Sequence, residues 1–201
     1  MGKNQKKKIP SNIEIKKSVS KKYTHQKSVN NNKDYKTDKK RLNFDVSFEG
    51  LYHSVKVGSD KFNNHLTNEK DFVNKFKQVR EIITKLKDKD FENEIKKVPN
   101  FHCHYFDKEK DEIAKEGIIN SICHSGKSRK EAKALIEHQL NGERLYQMGI
   151  NDGVRIVGTY EEGSGVFRIY MIDYHHDLYP DEKRNKVGKK TLNFCPMKTI
   201  V

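Results

Sequence analysis

The sequence predicts an α+β fold: an antiparallel sheet with helices packed on one side, preceded by a disordered basic amino-terminal arm. Three observations lead there. Residues 1–40 hold thirteen Lys against Glu14, Asp34 and Asp38, so +10 of the formal net charge of +13 lies in that opening stretch. Two runs rich in Val, Ile, Phe and Tyr, between Val154 and Pro180, are joined by Glu161-Glu162-Gly163-Ser164-Gly165, the pattern of a β-hairpin. Ahead of them, apolar residues recur at spacings of three and four, which marks helices with one buried face.

In the arm, Lys6-Lys7-Lys8, Lys16-Lys17, Lys21-Lys22 and Lys39-Lys40 are set among Ser and Asn, with too little apolar surface to offset the entropy of ordering. Clustered Lys displaces counterions from a phosphate backbone and gives salt-sensitive, sequence-blind affinity. Lys6, Lys7 and Lys8 are therefore candidate RNA-binding residues, with a solubilising tail as the plain alternative. In a chain of 201 residues that is 33% hydrophobic and 34% charged, residues 41–201 suffice for one domain.

That domain reads in three parts. Leu42 to Phe48 alternates apolar and polar residues, and Leu51, His53, Val55 and Val57 continue the alternation after Glu49-Gly50, so an amino-terminal hairpin is expected over 42–57. Thr67-Asn68 offers an N-cap for a helix with Phe72, Phe76, Val79, Ile83 and Leu86 on one stripe. It either continues through Phe91 and Ile95 or breaks at Asp88-Lys89-Asp90, and Pro99 stops it in either case. This hairpin and helix make up residues 41–98.

Phe101 to Phe106 begins the second part, 99–180, as a strand with His102 and His104 on one face. The charged run Asp107 to Lys115 opens a short helix expected to run through Ile118, Ile119 and Ile122, and Ser128 with Glu131 fits a capping box for another that ends at Asn141-Gly142. Residues 143–150 then lead into the 154–180 meander. The third part, 181–201, is a basic tail in which Phe194-Cys195-Pro196-Met197 reads as an edge segment or docked tail.

Cys103, Cys123 and Cys195 cannot all pair, no secretory h-region precedes them, and no apolar run approaches the roughly 20 residues that span a bilayer. The expectation is a cytoplasmic protein with free thiols and no membrane partner. Heavy use of Lys, Asn and Ile suggests an AT-rich genome, such as that of a low-GC bacterium or its phages and plasmids.

Among the motifs, Ser125-Gly126-Lys127-Ser128 lacks the Gly that a phosphate loop needs at position 121, which is Ser, and reads as a helix cap. No cofactor is expected. The alternative is zinc, held where His102, His104 and His175 could meet across neighbouring strands. Asp173-Tyr174-His175-His176-Asp177 at a strand end is the densest group of proton-exchanging side chains. If Phe167, Ile169 and Met171 face the core, Arg168, Tyr170 and Tyr174 form an exposed basic and aromatic face. A phosphate contact beside a stacking ring is what single-stranded RNA requires.

The order of elements over roughly 101–180 resembles the RelE/HigB-type bacterial toxins, small mRNA endonucleases. Helices precede a meander with an Arg in Gly153-Val154-Arg155-Ile156-Val157-Gly158, and Ile172-Asp173-Tyr174-His175-His176 ends the last strand. The resemblance implies that Arg155 contacts the phosphate or the developing charge and that His175 or His176, with Tyr179, serve as acid–base groups. It also implies attack by the RNA 2′-hydroxyl without a metal, with RNA or the ribosome as partner and an antitoxin as a protein partner. The reading is thus an RNA-directed protein with the chemistry of an endoribonuclease toxin. The alternative is a non-catalytic nucleic-acid- or protein-binding inhibitor or accessory protein of a phage or plasmid.

Overall fold

Alternation at the start of the domain does produce a strand, β1 (Asn43–Val46), but its partner is distant in sequence. The structure, a computed structural model, describes residues 41–47, 50–58, 62–150, 153–179 and 192–198. The lysine arm at 1–40, with Lys6, Lys7 and Lys8, lies outside the described residues, as does most of the tail from 181.

The hairpin expected over 42–57 does not form. Instead β1 runs parallel to β7 (Val166–Asp173), with Phe44 beside Phe167, and the two rings meet edge to face at 6.0 Å. A two-residue strand, β2 (Lys56–Val57), pairs antiparallel with β3 (Phe62–Asn63). Periodicity identifies a strand and its buried face, but it carries no information about which strand lies alongside.

The first helix, α1 (Glu69–Leu86), starts where Asn68 accepts the Asp71 N–H at 3.0 Å while Asp71 accepts the Thr67 N–H at 3.2 Å. It ends at Leu86 because Asp88 adopts φ 64°, so Phe91 and Ile95 pack from a separate turn rather than from the helix. Next come β4 (Phe101–Tyr105) and α2 (Lys108–His124), longer than expected and capped by Asp107, whose carboxylate accepts the Lys110 N–H. The Ser128–Glu131 capping box opens α3 (Arg129–Leu140), and Asn141 closes it at φ 46°. Strands β5 (Tyr146–Ile150) and β6 (Arg155–Glu161) complete the sheet, whose order is β1-β7-β6-β5-β4 with every pair but β1·β7 antiparallel.

The α+β class holds, but the helices do not share one side of the sheet. Val79, Ile82 and Leu86 of α1 pack with Met148, Ile156 and Phe167 on one face, whereas Ile118 of α2 and Ile136 of α3 pack with Val157 and Met171 on the other. The middle strands dictate this: β6 is buried at five successive residues, so each face needs its own cover. Each aliphatic side chain sealed in this way contributes about 1.5–3 kcal/mol.

One irregularity decides where the side chains of β7 point. Val157 pairs with Met171 but Gly158 pairs with Ile169, so Tyr170 is the extra residue of a β-bulge. A Cβ at Gly158 would overlap the Arg168 carbonyl oxygen, which is why glycine stands there. Beyond the bulge the facing reverses: Phe167 and Ile169 point to the α1 side, Tyr170 and Met171 both to the α2/α3 side, and Ile172 and Tyr174 to the α1 side again.

Past β7 the chain docks against the segments flanking β2 and β3. Leu66 and Phe194 exchange two backbone hydrogen bonds at 2.9 Å, and the Ser54 N–H donates to Cys195 Sγ at 3.3 Å, so the expected docked tail is present. Cys103, Cys123 and Cys195 are unbridged. Among the described residues no helix is long and apolar enough to cross a membrane.

Candidate functional site

Asp173, the last residue of β7, is fully buried, and its carboxylate shapes the turn that carries the candidate imidazoles. It accepts the N–H groups of His175 (3.2 Å), Asp177 (3.1 Å) and Leu178 (3.0 Å). A carboxylate satisfied by three backbone donors is a structural anchor, since three of its roughly four acceptor sites are occupied. Asn64 holds the same turn from the other side, donating from Nδ2 to the Ile172 carbonyl (2.6 Å) and accepting the Tyr174 N–H (2.8 Å). Next to it, the Asn63 N–H donates to Asp177 Oδ2 at 3.2 Å.

The imidazoles are drawn into this scaffold. His175 Nε2 lies 2.6 Å from the His65 carbonyl. A carbonyl only accepts, so Nε2 carries the hydrogen and is committed to it. His65 Nδ1 in turn donates to Asn63 Oδ1 at 2.9 Å. His176 adopts φ 58°, a left-handed conformation forced by the tight turn, and is half-buried. Tyr179 accepts the Asp107 N–H at 3.0 Å and donates to Asp107 Oδ2 at 3.1 Å, which ties it to the cap of α2. Burial raises its phenol pKa; the hydrogen bond from the Asp107 N–H opposes the rise, and the Asp107 carboxylate adds to it.

Arg155 is 1% exposed, so the expected phosphate contact gives way to a structural role. Its Nη1 donates to the carbonyls of Gly153 (2.9 Å), Ile150 (3.1 Å) and Val154 (3.3 Å), tying down the turn between β5 and β6. The side chain lies across Gly149, where a Cβ would overlap it. Burial pulls its pKa down to about 10, with Asp173, its partner in register across the β6·β7 ladder, and Cys103 opposing the fall. It remains charged at neutral pH.

Nor does the exposed RNA-stacking face form. Tyr170 is 2% exposed and Tyr174 0%, one on each side of the sheet, because the bulge breaks the alternation on which that face depended. Arg168 does reach the surface, where its Nε donates to Asp45 Oδ2 at 2.9 Å across the β1·β7 pair. Thus Arg155, Arg168 and the His175-His176 pair belong to separate environments rather than one solvent-open hollow.

The zinc alternative meets the same obstacle. His104 donates from Nδ1 to the Tyr105 carbonyl (2.9 Å) and takes a hydrogen from Gln147 (2.7 Å), in a network apart from the one that holds His175. Among the described residues no group of three or more His, Cys, Asp or Glu side chains is placed to hold a metal. His102, His104 and His175 are accordingly not brought together.

Two surface features escaped the sequence reading. An apolar groove of about 220 Å³ runs between α1 and the β1·β7 edge, with Tyr52, Phe76 and Ile83 on its walls. At the far end of the sheet a cavity of about 360 Å³ is lined by Phe91, Tyr105, Tyr146 and Tyr160 together with Glu92, Glu143 and Glu162. The sequence signal for the second was present but scattered: aromatic residues at strand ends, each within a few positions of a Glu.

The fold and this site define an α+β domain whose polar groups at the end of β7 serve the architecture. The family described as Uncharacterised protein UU032 matches residues 47–201, and the chain belongs to that family. No curated protein and no solved structure matches the chain.

Proposed function

We propose that this protein is a non-catalytic nucleic-acid-binding accessory protein, which grips RNA or another phosphate backbone through the lysines of residues 1–40. The supporting observation is one of placement. Thirteen Lys lie within those 40 residues. The groups that would have to cleave RNA are instead engaged in holding the fold: Arg155 on three carbonyls, His175 on His65 and Tyr179 on Asp107. A polyanion held by Lys alone is bound by counterion release and without sequence preference. A cytoplasmic setting, in a phage- or plasmid-carrying bacterium, suits the unbridged thiols and the lysine-rich composition.

The RelE-type endonuclease is the competing reading, and one assay separates the two. Purified protein is incubated with single-stranded RNA in chelator, with and without ribosomes, beside His175→Ala and Arg168→Ala variants. Intact RNA in both settings is expected. Cleavage that both substitutions abolish, with the fold retained, would establish the nuclease and end the proposal.

A further inference from the structure

The aromatic cavity at the end of the sheet has a chemistry opposite to that of the lysine arm. Tyr105 ends β4 and stands directly across from Tyr146, the first residue of β5, with the rings meeting edge to face at 4.8 Å. Phe91 stacks face to face on Tyr160 at 3.7 Å and tilts against Tyr146 at 4.9 Å. These four rings leave a cavity of about 360 Å³. Three carboxylates border it from three separate parts of the chain: Glu92 after α1, Glu143 before β5, and Glu162 in the β6–β7 turn. Among the described lining residues Lys96 is the one cation against three Glu, and with Arg144 over the Tyr105 ring the surroundings still carry more negative than positive charge in a strongly basic protein.

Two further observations point to a ligand. Tyr146 is fully buried in the wall of this cavity, and its hydroxyl has no hydrogen-bond partner among the described residues. Such an orphan costs about 1–3 kcal/mol and calls for a partner. Tyr105, by contrast, is 45% exposed, so its ring is open to a ligand in the cavity. Its ring already takes one guanidinium, that of Arg144, whose Cζ lies 5.6 Å from the centroid while the group donates to the Phe106 carbonyl.

We propose that this cavity is a binding site for a guanidinium cation, carried by a small molecule or by an arginine side chain of a partner peptide. The planar, weakly hydrated guanidinium stacks on aromatic rings and pairs with carboxylates in a way that a phosphate cannot. Glu143 and Glu92, both exposed, supply carboxylates at the rim of the cavity beside the aromatic rings. Burial first, then Glu143 at Tyr105 and Asp90 at Tyr160, raises both phenol pKa values, with Arg144 opposing the rise at Tyr105, so both rings remain neutral partners for a cation at neutral pH. A phosphate would be repelled here, which separates this site from the arm.

The test is a titration of the full-length protein, with its tyrosine rings isotope-labelled, followed by NMR. Its probes are agmatine, N-acetyl-arginine amide, and the neutral isostere N-acetyl-citrulline amide. Shifts of the Tyr105 and Tyr160 rings that saturate with a guanidinium probe but not with the citrulline compound are expected. Agmatine binding as tightly as the amide would mark a free small molecule as sufficient, and binding of the amide alone would mark a peptide side chain. Either result supports the site. Tyr105→Leu should weaken binding about two- to five-fold while Tyr105→Phe, which keeps the ring, restores it. Glu143→Gln, at an exposed position, should weaken binding and flatten its salt dependence. Failure of both cationic probes to move these rings, equal binding of citrulline, or full affinity in Glu143→Gln and Tyr105→Leu would overturn the proposal.

Discussion

His175 donates its Nε2 hydrogen to the carbonyl of His65, 2.6 Å away, across the gap between the turn after β7 and the segment after β3. Its neighbour His176 is held in a left-handed conformation by the same turn. An imidazole fixed in this way ties two chain segments together and is poorly suited to shuttling protons. His175→Ala should therefore cost about 1 kcal/mol of stability and leave RNA affinity unchanged. Urea unfolding beside an RNA titration checks both, and a large loss of RNA affinity with normal stability would contradict it.

Asp173 is the more severe target. With three backbone N–H groups on one buried carboxylate, Asp173→Ala leaves those donors without partners and should cost about 3 kcal/mol or more. Thermal unfolding measures the loss. Asp173→Asn, which keeps an acceptor, should lose less.

Gly158 marks the β-bulge that sends Tyr170 and Tyr174 to opposite faces. A methyl group there meets the Arg168 carbonyl, so Gly158→Ala should destabilise by about 1–3 kcal/mol or more, through strain in the β6·β7 ladder. A variant as stable as the parent in urea would show that the bulge tolerates a side chain.

Stability should also fall in mild acid. Burial first, and then the charge of neighbours, lowers the pKa of His53 (beside His124) and of His65 (beside Lys198, His124, Lys56 and His175) from the usual 6.5. A base whose folded pKa is depressed binds more protons when unfolded. Destabilisation therefore sets in as pH drops through the unfolded value of about 6.5 and stops growing below the folded pKa. The urea midpoint should be lower at about pH 5.5 than at about pH 7.5, and His53→Gln should narrow the gap. Equal midpoints in the parent protein would contradict this.

Local signals carried much of the architecture. The Asn68 cap, the Ser128–Glu131 capping box, the left-handed Asn141 and the hairpin of β6 and β7 all rest on residues close in sequence, where a few side chains decide the backbone. Pairings between distant segments were not legible. Nothing near residue 44 indicates that β1 lies parallel to β7, and nothing in β7 alone announces an extra residue at Tyr170. That one residue accounts for most of the misplaced site. With strict alternation Arg168, Tyr170 and Tyr174 would share a face; with the bulge two of them enter separate cores. Arg155 misleads for a related reason, since a strand Arg suits a phosphate until Gly149 makes room for it to fold back onto carbonyls.

The most direct measurement is the affinity of full-length protein for labelled single-stranded RNA between about 50 and 200 mM salt. The partner in the comparison is a variant with Lys6, Lys7, Lys8, Lys16, Lys17, Lys21 and Lys22 changed to Gln. Binding through the amino-terminal lysines predicts a steep loss of affinity with salt in the parent, and a weaker, nearly salt-independent interaction in the variant. Undiminished affinity and salt slope in the variant, with both lost in Arg168→Ala, would place the contact on the sheet and contradict the proposal.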